Sequence, residues 1–102
     1  MAKPRVELQS ILEDILGSRN VYFQPPESIK MSYPAIVYSL SSIDNIYASD
    51  SIFRRYNVYD IVLIDRSPES TFVDPILNLP FCRFTRSYKS ENLNHYAFTI
   101  YF

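Results

Sequence analysis

The sequence predicts an α+β fold: an antiparallel β-sheet with two helices packed on one face, in the order α-β-β-β-α-β-β. Three patterns carry that reading. Leu8, Ile11, Leu12, Ile15 and Leu16 recur at helical spacing. Residues 35–40 and 56–65 are apolar on both sides, as strands in the middle of a sheet are. The last strand alternates, with Tyr96, Phe98, Ile100 and Phe102 on one side and His95, Ala97, Thr99 and Tyr101 on the other. At 102 residues, 47% of them hydrophobic, the chain is expected to fold as a single domain spanning 1–102 without help from metal or disulfide.

The first helix is predicted over residues 4–16. Pro4 suits its first turn, where a missing N–H is harmless, and Gly17 suits the left-handed residue just past its end. Arg5, Glu7, Glu13 and Asp14 are placed on the face away from the core. Residues 21–23 read as a short strand, stopped by Pro25 and Pro26, which cannot donate to a ladder. A loop follows over residues 26–34. The strand 35–40 and the return strand 56–65 form a long hairpin. Its polar, turn-rich stretch 44–51 reads as the tip. Ser67 and Pro68 signal a helix start, with Phe72, Val73, Ile76, Leu77 and Leu79 as its apolar side. Pro75 predicts a kink there or a fresh start capped by Asp74, and Pro80 ends the helix. Residues 81–88 and 94–102 make a final hairpin.

The composition excludes several function classes. A single glycine rules out the phosphate loop and the dinucleotide-binding turn, which need backbone N–H groups close to phosphate. One histidine and one cysteine cannot complete a four-ligand zinc site. No cofactor is expected. The net charge of -1 gives no surplus for a broad nucleic-acid or membrane-surface partner. One cysteine, no apolar leader and no long apolar run predict a soluble protein made in the cytoplasm, with no membrane contact.

A Cys82–His95 nucleophile pair is the one enzyme-like arrangement to consider. If the last turn centres between Ser90 and Glu91, Cys82 opposes Thr99 and lies about 13 Å along the ladder from His95. If it centres on Glu91, Cys82 opposes Ile100 and faces the other way. Neither register gives hydrogen-bond reach, so no enzyme is predicted and Cys82 reads as a small buried hydrophobe. Asp60 and Asp65, five apart on one strand, face opposite sides. Arg54–Arg55 and the group Arg83, Arg86 and Lys89 are basic clusters, read as solvated or as partners in intersubunit salt bridges. Nine tyrosines exceed what a domain of this size hides, so several belong at the surface, where tyrosine is a typical interface residue.

Four segments carry a family resemblance: Asn20-Val-Tyr-Phe-Gln-Pro-Pro26, Tyr33-Pro-Ala-Ile-Val-Tyr38, Tyr59-Asp-Ile-Val-Leu-Ile-Asp-Arg66 and Tyr88-Lys-Ser-Glu-Asn-Leu-Asn-His95. In these the chain resembles the small tail-completion, or tail-terminator, proteins of long-tailed bacteriophages over nearly its whole length. The resemblance implies a ring, usually a hexamer, on the head-proximal end of the tail tube. Such a ring ends tube growth, docks the head connector and lets DNA pass through its lumen. It implies self-association, the tail tube protein and the head connector as partners, and a place in the virion. Under that reading the interface candidates are Tyr47 and Asp50 at the hairpin tip, Arg54, Arg55, Arg83 and Arg86, which would line the lumen or pair across subunits, and Tyr101. The competing expectation is a tyrosine-rich adaptor module that binds one protein partner and has no need of ring closure.

Overall fold

Helix α1 spans Arg5–Leu16 and buries Leu8, Leu12 and Leu16, a straight i, i+4, i+8 line. Each fully buried leucine contributes about 2 kcal/mol of transfer free energy. Pro4 stands just outside the helix at the cap, where its carbonyl accepts the Glu7 amide at 3.1 Å. Gly17 closes the helix with φ of 73°, and its N–H donates to the Glu13 carbonyl at 2.8 Å. No atom lies within 4 Å of where a Cβ would stand, so the glycine serves its backbone conformation and not a tight fit.

The computed structural model describes residues 3–49 and 51–102. It is α+β, with two helices and a five-stranded, mostly antiparallel sheet. The strands are β1 (Val21–Phe23), β2 (Ala35–Ala48), β3 (Ser51–Asp65), β4 (Cys82–Ser90) and β5 (Leu93–Tyr101), in the spatial order β1-β2-β3-β5-β4. One pair breaks the expected antiparallel pattern. β1 runs parallel to β2, with Val21 level with Ile36 and Phe23 level with Tyr38. A parallel neighbour requires the chain to cross the sheet between strands. The segment after β1 does so over one face, where Pro25, Pro26, Ile29 and Met31 lie across Val37, Val62 and Ile64.

The second correction concerns the long hairpin. The turn-rich stretch 44–51 does hold the reversal of the hairpin, but most of it is ladder: pairing runs from Ala35–Ile64 out to Ala48–Ser51, with bulges after Leu40 and Ile46. Polar composition reads as loop when both faces of a strand are wet, yet the backbone groups still pair. Ser49 has φ of 53° at the reversal; Asp50 lies outside the described residues.

The second helix is shorter than expected. Asp65, Ser67 and Ser70 hold the chain in successive side-chain turns, with Ser70 donating to Asp65 at 2.7 Å. Helix α2 then spans only Val73–Leu77, starting afresh after Phe72 and not capped by Asp74. Pro75 falls in its first turn, where no intrahelical donor is lost and no kink is needed.

The last hairpin adopts neither expected register throughout. Its turn is Glu91–Asn92, both left-handed at φ of 52° and 64°, between the paired Ser90 and Leu93. A bulge at Thr85 then shifts the phase by one, so that Cys82 meets Ile100.

Tyr38, Ile61 and Phe98 are level across β2, β3 and β5 and share the face on which Leu8, Leu12 and Ile76 of the helices pack. Arg5 does not face away. Its guanidinium lies over Phe23, 4.4 Å from the ring centroid, and donates to the Tyr38 hydroxyl at 2.9 Å. That hydroxyl in turn donates to Gln9, which ties α1 to the sheet. Burial pushes the Tyr38 hydroxyl pKa up, against the opposing pull of Arg5.

Candidate protein–protein interface

The last β3–β5 pair is Val58–Tyr101. Beyond it β2 and β3 continue alone as a two-stranded arm of roughly 20 Å, which makes the molecule 50 Å long and only 25 × 23 Å across. A free two-stranded ribbon is marginal in water unless something supports it. Here side chains link it internally. Arg55 Nε donates to Asn45 Oδ1 at 2.9 Å, Arg54 to the Tyr56 hydroxyl at 2.9 Å, and Ser42 to Asp44 at 3.1 Å. The arm nevertheless shows Ile43 (55% exposed), Ile46 (48%) and Tyr47 (63%) to solvent. Ile43 is level with Asn57 and Ile46 with Arg54, so the two face opposite sides and both faces of the arm carry exposed apolar groups, as suits an interaction surface.

At the root of the arm, on the face without helices, Tyr56 packs against Phe81 and Tyr101 with ring centroids 6.1 and 6.2 Å apart. Ile46, Phe81 and Arg83 surround this aromatic ridge and enclose an open, mostly apolar hollow of about 410 Å³. Lys3 and Arg54 border the ridge on its other side. Phe81 is 69% exposed and has φ of 58°, a costly conformation for a bulky residue. An exposed aromatic held in a strained backbone is a feature folding alone does not require.

No known protein-family model matches this chain, and no curated protein matches it.

Of the residues expected from sequence, the fold gathers Arg54, Arg83 and Tyr101 around the ridge. Arg86 stands further along the same face, with its guanidinium 4.9 Å from the Tyr88 ring centroid, and Tyr88 stacks on His95 at 4.7 Å. Arg55 and Tyr47 lie elsewhere on the arm, both bonded to Asn45. Strand alternation separates Arg54 from Arg55, so the pair is not one cluster. Asp50 lies outside the described residues. Ile46, Tyr56 and Phe81 were not among the expected interface residues. The available signal was Ile43 and Ile46 standing in an otherwise polar stretch.

Cys82 and His95 are on opposite faces. Cys82 packs against the core beside Ile100, and burial pushes its thiol up to about 11. His95 is level with Ile64 and Tyr88. They cannot share a proton. Among the described residues no three His, Cys, Asp or Glu side chains converge on a point. No described helix is long and apolar enough to cross a membrane.

β4 forms one border of the sheet and is exposed along almost its whole length. It carries Phe84 (43% exposed) and Tyr88 (41%), together with Arg83, Arg86 and Lys89, and no acid. A long strand edge of this kind offers unpaired backbone groups to another strand.

Proposed function

We propose that this chain is a non-enzymatic assembly protein that closes into a ring, a hexamer, on the head-proximal end of a bacteriophage tail tube. There it ends tube growth, docks the head connector and leaves a lumen for passing DNA. It would be made in the host cytoplasm and reside at the head–tail joint of the virion. The observation that carries this reading is the arm: a two-stranded extension with exposed Ile43, Ile46 and Tyr47, internally braced and with no covering element among the described residues. The family resemblance of residues 20–26, 33–38, 59–66 and 88–95 supplies the identity of the assembly.

The test is solution mass by light scattering, alone and with a phage tail-tube protein, on the intact chain and on a chain lacking residues 45–51. Expected is a closed oligomer, free or only on tubes. The deletion variant should still melt cooperatively yet fail to join tails to heads. A chain that stays monomeric in the presence of tubes, or normal joining by the deletion variant, refutes the proposal. The monomeric outcome would favour the adaptor reading.

A further inference from the structure

The chain offers two largely free strand edges of similar length. One is β4 from Arg83 to Ser90, since the outward amide of Cys82 is taken by the Leu79 carbonyl at 3.3 Å. The other is the outer edge of β2. β1 covers only its first part, through Phe23 beside Tyr38, and Gln24 takes the Leu40 amide at 3.1 Å. From Ser41 to Ala48 nothing described pairs with that edge.

We infer that these two edges bind each other between copies of this chain, so that β4 of one copy pairs antiparallel with the β2 arm edge of the next. The inference rests on the assembly reading above and specifies its contact. Direction allows it. Within one copy the strands β2, β3, β5 and β4 alternate up and down without interruption. A second copy set beside the first without being flipped therefore continues the alternation. Charge selects it. β4 carries Arg83, Arg86 and Lys89 and no acid, whereas the free β2 stretch carries Asp44 and no base. Pairing β4 with a second β4 would set like charges side by side, while β4 against β2 sets Asp44 near arginine. Each edge also exposes apolar groups, Ile43 and Ile46 on one and Phe84 and Tyr88 on the other. Because the two edges are different surfaces, the contact is head-to-tail, the class that generates rings.

The geometry favours closure. Arg86 is level with Val37 through Ala97 and Val62, while the middle of the free β2 stretch is Asp44. Full overlap thus staggers each four-stranded copy by about six rungs, which at ordinary strand rise and spacing tilts the strands by roughly 45°. Closed barrels have tilts of this size.

Proline variants test the pairing. Alternation from the Ser90–Leu93 turn points the Ser87 amide outward, and alternation across the bulge after Leu40 does the same for Ile43. Ser87→Pro and Ile43→Pro each remove an outer donor without touching the ladder inside the copy. Each alone should weaken self-association by roughly 100-fold in sedimentation, the cost of an acceptor left unpaired in a buried ladder. Mixed together they should form a one-to-one complex, since each retains the edge the other lacks; that complementation also shows that both variants are folded. Wild-type assembly with unaffected variants, or with a mixture that stays monomeric, overturns the strand pairing and leaves the ring reading standing. A wild-type chain that never assembles, in solution or on tubes, overturns both.

Discussion

Replacing Tyr38 by Phe removes one oxygen from a buried ring and leaves its packing intact. The ring keeps its neighbours Phe23 and Tyr59, at centroid distances of 5.0 and 5.9 Å. Lost are the donation to Gln9 and the acceptance from Arg5 at 2.9 Å. A neutral hydrogen bond contributes about 1 kcal/mol net, and one to a charged donor about 1.5 to 3. Arg5 is only half-buried, so its share belongs at or below the low end of that range. The sum is about 2 kcal/mol, which corresponds to a fall in Tm of about 10 °C for a domain of this size. In urea the midpoint should drop by about 1 M with an unchanged slope. Arg5→Met should lose part of the same energy, and the double variant should fall short of additivity by about 1 kcal/mol. A midpoint within about 0.2 M of wild type, against the expected 1 M, or strict additivity, would mean that the leucines alone dock α1 and that the Arg5–Tyr38–Gln9 chain is incidental.

Two further outcomes follow from the site. Phe81→Asn relieves a left-handed backbone at a cost of about 1 kcal/mol in lost contact with Tyr56, so folding stability should stay within about 0.5 kcal/mol of wild type while self-association in sedimentation is lost. Clear destabilisation with assembly intact would show that Phe81 serves the fold. Cys82, pushed up to about 11 by burial, should react with iodoacetamide at pH 8 roughly two orders of magnitude more slowly than an ordinary thiol of pKa about 8.5. The unfolded chain ionises first, so stability is unaffected by this group at neutral pH and declines from about pH 8.5 as pH rises towards about 11. A rate equal to that of free cysteine at pH 8 would show that the thiol is not buried.

The sequence was most legible where structure is local. The stripe of Leu8, Leu12 and Leu16 and the stop at Gly17 depend on residues within a few positions of one another, and the helix follows them. It was least legible where partners are distant or where the backbone carries the information. Nothing in Val21–Phe23 distinguishes a parallel neighbour from an antiparallel one; the crossing segment after it decides. Arg5 sits on the outer side of a helical wheel, but its length lets the guanidinium turn back onto Phe23. The Thr85 bulge and the left-handed Phe81 are dihedral choices with no strong residue preference to announce them. The candidate site divided along the same line. Arg54, Arg83 and Tyr101 were visible as charge and aromatic type. Their convergence with Ile46, Tyr56 and Phe81 depends on the register that joins the arm to β5 and β4.

The arm also explains how a weakly buried element can serve as a binding surface. Two strands without a sheet around them lose little solvent contact by opening, so an unbraced arm would have to be ordered at the moment of association. Arg55, Asn45 and Tyr47 are linked in series by hydrogen bonds, and Arg54 reaches across one rung to Tyr56. Each link is worth little alone at an exposed position. Together they restrict the arm's side chains before any association. The ordering cost is then met within the monomer, and the apolar groups Ile43, Ile46 and Tyr47 remain free to contribute to the contact. In the proposed assembly Asn45, bonded to both Arg55 and Tyr47, positions the contact surface.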